Sequence, residues 1–190
     1  MRAGCSGADI ARTLDINPKT ARRMNRVFRN LVKPLVPKDL PGASEWDESV
    51  VSRQWVLGGV SRMTRKCMLR CIENRREETL SPIVLRWSDP DGLVFTDEHL
   101  GYHNIPNRFS VCHAREFVNS QARFVHTNTA EGIWSHLKGL SRHIYRGFPK
   151  VTLQEFLAEF MFRYNLRDYK ARQSVLSALL SRKSINTHLV

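Results

Sequence analysis

The sequence predicts an α/β protein, a mixed sheet with flanking helices preceded by a small helix pair. Three observations carry this prediction. Alternating runs read as strands at 44–72 and near 93–96 and 109–112; apolar residues at helical spacing mark 77–87 and 153–164; two short helical patterns fill residues 1–33. With 190 residues, 42% of them hydrophobic, the chain is long enough to build a substantial core.

The elements follow in order. Ala8, Ile10, Ala11 and Leu14 recur at near-helical spacing until Asp15-Ile16-Asn17 breaks the run. Asn17-Pro18 restarts it, because Asn caps free N–H groups and Pro suits the first helical position. In the second helix Ala21, Met24, Val27, Phe28 and Leu31 form an apolar stripe, with Lys19, Arg22, Arg23, Arg26 and Arg29 largely opposite. A short helix, a tight turn and a basic second helix describe a helix-turn-helix, whose Lys19, Thr20 and Arg23 would lie nearest the bases of a major groove. The same pattern also describes a solvated helix pair with a charged face. Pro34, Pro37 and Pro41-Gly42 mark a linker.

Ser44 to Val51 and Arg53 to Val60 then read as strands, and Lys66 to Ile72 alternates with Cys67, Leu69 and Cys71 on one face. Glu77 to Trp87 is helical, with Leu80, Ile83, Val84 and Trp87 inward; Asp89-Pro90-Asp91-Gly92 is a turn; Leu93 to Thr96 is a short buried strand ending in Asp97-Glu98. Phe109 to Cys112 reads as a strand and Thr127 to about Arg146 as a helix. Leu153, Phe156, Leu157, Phe160, Met161 and Tyr164 give a last strong helix. This pattern of strands and helices matches a ribonuclease-H-like, retroviral-integrase-like core.

Charge narrows the function. Thirty Lys and Arg against eighteen Asp and Glu give +12, which points to a polyanionic partner such as nucleic acid. The excess is concentrated at both ends: nine basic against three acidic residues in 1–40 and thirteen against five in 101–190, with eight against ten between. No apolar run approaches the ~20 residues of a membrane span, and no secretory pattern opens the chain. Four unevenly spaced Cys fit a reducing compartment; Cys67 and Cys71 read as core, and Cys112-His113 lacks a partner pair at metal-ligand spacing. The expected location is cytoplasmic and nucleoid-associated, or nuclear in a eukaryotic host.

Three carboxylates stand out: Asp47 on the first strand, Asp97 at the end of the fourth and Glu131 on a later helix. A charge at the end of a buried strand is costly unless it is paired or holds a metal. Acids converging from separate elements hold divalent cations for phosphoryl transfer, and hard oxygen donors favour Mg²⁺ or Mn²⁺. Taken without their neighbours, the three also read as surface acids and caps.

The neighbours carry a resemblance. His126-Thr127-Asn128-Thr129-Ala130-Glu131-Gly132-Ile133-Trp134-Ser135-His136-Leu137-Lys138 resembles the HTNT-E-x-x-W-x-x-x-K signature of DDE transposases of the Merlin superfamily and related bacterial insertion-sequence (ISXO-like) transposases. Glu45-Trp46-Asp47-Glu48-Ser49 is similar to the family's first-aspartate strand and Trp55-Val56-Leu57-Gly58-Gly59-Val60 to its second strand. Thr96-Asp97 followed by Tyr102 resembles the second-aspartate motif, Val111-Cys112-His113 falls on a Val-Asn-His-like segment, and Phe156 to Asn165 resembles the closing EF-x-FRYN helix. The resemblance covers roughly residues 8–167.

It implies a domain plan: a helix-turn-helix DNA-binding region over 1–33, a Pro-rich linker over 34–43, a ribonuclease-H-like DDE catalytic domain over 44–170 and a basic C-terminal tail over 171–190. It implies that Asp47, Asp97 and Glu131 are the catalytic, metal-binding acids, holding two Mg²⁺ or Mn²⁺ ions per active site. Lys138, two helical turns past Glu131, and Asn128, one turn before it, would contact DNA, as would Lys19, Thr20, Arg22, Arg23 and Arg26 of the helix-turn-helix. His113 and His126 would lie beside the site.

The implied activity is that of an insertion-sequence transposase, which cuts element ends and joins the 3′-hydroxyl to target DNA by two-metal-ion phosphoryl transfer. Its partners would be double-stranded DNA, as terminal inverted repeats and target, and further copies of itself. Two departures support an alternative, a truncated or domesticated remnant that binds DNA without catalysis. Only Val50 to Gln54 separate the first-aspartate strand from the second, where relatives carry a longer stretch, and no Cys-rich ribbon precedes the helix-turn-helix.

Overall fold

The computed structural model describes residues 5–111, 128–145 and 147–187. The two N-terminal helices form as their caps dictate. Ser6 and Asp9 make a reciprocal capping box at the start of α1 (Gly7–Leu14), which stops at Asp15 in the left-handed region. Asn17 accepts the Lys19 N–H at 2.8 Å to open α2 (Pro18–Val32).

Helix α2 turns a different face inward from the one its apolar stripe predicts. Ala21, Arg29 and Val32 are buried, while Met24 and Val27 stay 48% and 47% exposed. The reason is the surface it packs on. Phe28 meets Phe162 edge-on at 6.0 Å, and Arg29 pairs with the buried Glu159 at 2.9 Å, so a counter-charge draws the arginine in. Arg29 is therefore not on the basic surface where the sequence places it.

The predicted linker is strapped to the domain that follows. Leu40 is fully buried and donates its N–H to the Trp87 carbonyl at 2.7 Å, and the Gly42 N–H donates to Asp89 at 2.8 Å.

Five strands make one mixed sheet in the order β3-β2-β1-β4-β5: β1 (Ser44–Val51), β2 (Gln54–Ser61), β3 (Cys67–Ile72), β4 (Val94–Asp97) and β5 (Arg108–Val111). The first three pair antiparallel; β4 runs parallel to both β1 and β5. Ser52 and Arg53 alone close the β1–β2 hairpin, with φ of 50° and 64°, the geometry a two-residue hairpin loop demands. Helix α3 (Glu77–Trp87) carries the chain from β3 to β4.

Period-two alternation sends side chains of each strand to two cores. On one face Trp46, Leu57, Met68 and Val94 pack with Leu80 and Val84 of α3 and with Tyr102 and Ile105. On the other, Val56, Val60, Cys67 and Leu69 pack with α4 (Asn128–Leu140) and α5 (Leu153–Asn165). A wider π-type turn, Ser141–Tyr145, continues α4. Helix α5 lies between the sheet and α2, so nearly all its faces are buried.

It also covers the exposed edge of β3. Asn165 takes the Cys67 N–H at 2.7 Å and donates to the Cys67 carbonyl at 2.9 Å, and Gln154 accepts the Cys71 N–H at 2.9 Å. Backbone groups at a sheet edge otherwise invite pairing with other chains. Beyond it, residues read as a basic tail form a sixth helix, α6 (Tyr169–Thr187).

Candidate active site

The site is built where β1 and β4 run side by side. Ser44 pairs with Val94 and Glu45 with Phe95; Asp47 and Asp97 each follow two residues later, close enough for the charge of Asp97 to act on Asp47. Asp47 accepts its neighbour's N–H, from Glu48, at 2.8 Å through Oδ1, and the indole N–H of Trp134 at 2.8 Å through Oδ2. Asp97 accepts the His99 N–H at 3.0 Å. Arg108 on β5 donates to the Asp97 carbonyl and to Thr96 Oγ1, each at 2.8 Å, which fixes the end of β4.

Electrostatics mark Asp47. Burial, then the like charges of Glu48 and Asp97, push its carboxyl up to about 6, against the opposing pull of the Trp134 hydrogen bond. Glu48 itself points to the opposite face, where Arg75 and the Tyr102 hydroxyl donate to it. The Tyr102 phenol is held well above its ordinary range, by burial first and then by Glu48.

Helix α4 brings Glu131 to the same face of the sheet, half-buried and one turn before Trp134. Among the described residues, no three His, Cys, Asp or Glu side chains stand together as a metal-ready group. Asp47 and Asp97 act on one another through their charges, and Glu131 is not gathered with them into a three-donor group. Lys138, half-buried near the other end of α4, shares a cleft of about 310 Å³ with Val50, Ser52 and Arg142 at the hairpin end.

The remaining expected residues divide. Lys19, Thr20, Arg22, Arg23 and Arg26 are all exposed on α2. Arg22 and Arg26 line a cleft of about 410 Å³ with Asn25, Tyr145 and Thr152. Asn128 begins α4; His113 and His126 lie outside the described residues, as does Cys112.

Two residues outside the expected site set also build it. Trp134 grips Asp47, and Glu45, fully buried, accepts N–H groups from the start of α4. The signal for Glu45 was available: it stands two residues before Asp47 and so shares its face.

The profile of the ISXO2-like transposase domain matches residues 40–165 of this chain. The chain belongs to the ISXO2-like transposase family. A transposase-like protein of Haemophilus influenzae is 27% identical to it over 115 residues, which span 57% of this chain and 89% of that protein. The expected kinship with ISXO-like transposases is therefore borne out. The ISXO2-like domain begins at Leu40, where the strap enters the core, and ends at Asn165, whose side chain clasps β3. Among the described residues, no helix of this transposase-family chain is long and apolar enough to cross a membrane.

Proposed function

We propose that this chain is an insertion-sequence transposase that cuts element ends in double-stranded DNA and joins the freed 3′-hydroxyl to target DNA. The observation that carries the reading is the Asp47–Asp97 pair on adjacent parallel strands, one of them with its carboxyl raised by burial and like charge. The strand order β3-β2-β1-β4-β5, with β4 parallel to both β1 and β5, supports a ribonuclease-H-like core for residues 44–170.

The donor set fits a divalent cation: two hard carboxylates on adjacent parallel strands, near enough for the like charge of one to raise the other. In this reading Asp47 and Asp97 hold Mg²⁺ or Mn²⁺, with Glu131 joining from α4. When bound, two such ions stabilise the attacking and leaving oxygens of phosphoryl transfer.

The protein's own residues set the geometry. Trp134 and the Glu48 N–H anchor one oxygen each of Asp47, so its carboxylate meets a ligand in a fixed orientation. The His99 N–H does the same for Asp97, and Arg108 pins the strand end beneath it. Lys138 supplies a cation for a DNA phosphate, and the exposed basic residues of α2 supply a DNA-reading surface. The reading further implies a homo-oligomer that holds two element ends, located at the nucleoid.

A strand-cleavage assay tests this, using DNA with terminal inverted repeats and Mn²⁺, with Asp97→Ala beside the native chain. Metal-dependent nicking lost in the variant is expected; equal nicking by both overturns the reading. A second reading, a remnant that binds DNA without cutting, is favoured by the two-residue hairpin loop and by the lack of a three-donor group among the described residues. Binding with no metal-dependent cleavage in the same assay selects it.

A further inference from the structure

We propose that Glu45 is a positioning residue for the acidic site: it clamps the start of α4 to β1 and so sets Glu131 and Trp134 against Asp47. The inference rests on the proposed metal site but is read from separate contacts. Glu45 and Asp47 stand two apart on β1 and share one face. They are used differently. Asp47 receives one indole and one neighbouring amide, whereas Glu45 is fully buried and tied to a helix end.

Its Oε2 accepts the backbone N–H groups of Thr129 at 2.9 Å and Ala130 at 3.2 Å, and its Oε1 accepts the Thr129 hydroxyl at 3.1 Å. The first N–H groups of a helix have no partner within the helix and carry its positive dipole end. A strand carboxylate thus caps a helix distant in sequence, doing what a local Ser or Asp does elsewhere.

The residue after the second capped amide is Glu131, and Trp134 follows one turn later. Any slide or rotation of α4 against β1 therefore breaks the Glu45 bonds and moves both side chains relative to Asp47. Arg62 holds Glu45 from the other side at 2.8 Å, with its guanidinium 3.7 Å from the centre of the Phe95 ring. Phe95 is two residues before Asp97 on β4, so the clamp ties three elements of the site together.

The test compares Glu45→Gln and Thr129→Val with the native chain. Thr129→Val removes the hydroxyl's contacts with Glu45 and Arg65 but keeps both backbone bonds to Glu45, and Glu159→Gln, a buried acid of α5 remote from α4's start, serves as a destabilised control. The four tryptophans give four indole N–H resonances, that of Trp134 assigned by Trp134→Phe. In the metal-free protein, Glu45→Gln is expected to move the Trp134 resonance and speed amide exchange at Thr129 and Ala130. It should also weaken Mn²⁺ binding by about 10–100-fold, the usual effect of removing a residue that orients ligands. Thr129→Val should shift the same signals less, and Glu159→Gln should lower the melting temperature with the resonance and Mn²⁺ affinity unmoved.

An unmoved Trp134 resonance with Mn²⁺ affinity within about twofold of native in Glu45→Gln overturns the proposal. So does an equal response in Glu159→Gln. If the native chain binds no Mn²⁺, the metal reading fails instead, and the Glu45 clamp is judged on the metal-free resonance and exchange.

Discussion

Asp47 faces Gly58 directly across the β1–β2 pair, and the space above that glycine is filled by the indole of Trp134. A Cβ at Gly58 would lie 2.8 Å from the indole ring and 2.9 Å from Leu69. The missing side chain is what lets Trp134 lie flat enough on the sheet to reach Asp47. The neighbouring Gly59 does the same on the other face, where a Cβ would come within 2.6 Å of the Trp46 ring.

Gly58→Ala should therefore lower stability by about 1–3 kcal/mol, the usual cost of overpacking, and reduce metal-dependent cleavage more than that loss explains. Urea unfolding and cleavage on the same preparations check both. Trp134→Phe loses the N–H and part of the indole that covers Gly58. It should cost about 1–3 kcal/mol and reproduce the functional loss without overpacking the sheet.

Asp47 predicts a pH dependence. Its folded carboxyl titrates near 6, above the ordinary unfolded value, so the folded state holds that proton more tightly. Without metal, this group's contribution to stability should rise as pH falls from 7.5 through 6 towards 4. The full span is on the order of 3 kcal/mol. Asp47→Asn should flatten that portion of the profile and melt a few degrees higher than native at pH 7.5 in chelator. A variant that melts lower at pH 7.5 contradicts the burial argument.

The hairpin loop makes a prediction in the opposite direction. Arg53 is exposed and holds φ of 64°, which costs an L-residue about 1–2 kcal/mol and glycine almost nothing. Arg53→Gly should stabilise the chain by about 1 kcal/mol, read as a higher urea midpoint with an unchanged slope.

The α2–α5 contact predicts an asymmetry. Glu159 is held by Arg29, Arg163 and the Tyr145 hydroxyl. Arg29→Met leaves that carboxylate two partners, whereas Glu159→Leu leaves Arg29 buried with its counter-charge gone. The second should cost about 3–5 kcal/mol, and the first clearly less. Equal losses would show that the pair is not what holds α2 in place.

Much of this fold is legible in the residue pattern. Alternation and turn chemistry give β1 and α3 their ends, because Pro41-Gly42 and the Asp89–Gly92 turn leave the chain few alternatives. What escapes local reading is set by partners distant in sequence. Met24 and Val27 read as core until α5 offers Glu159 to Arg29, and residues 169–187 show no clear apolar face to announce α6. The acids divide similarly. Asp47 and Asp97 stand out as strand acids; for Glu45 the spacing gives only the face it shares with Asp47, and its partner is set by α4, which rests on it from 84 residues away.

The central claim is that Asp47 and Asp97 hold a divalent cation, and iron-directed backbone cleavage tests it most directly. Fe²⁺ takes the place of Mg²⁺ and, with peroxide and ascorbate, cuts the polypeptide next to where it binds. The account predicts cuts in β1 around Asp47 and in β4 around Asp97, suppressed by excess Mg²⁺ and lost in Asp97→Ala. Cuts elsewhere, or none that Mg²⁺ competes away, would contradict it.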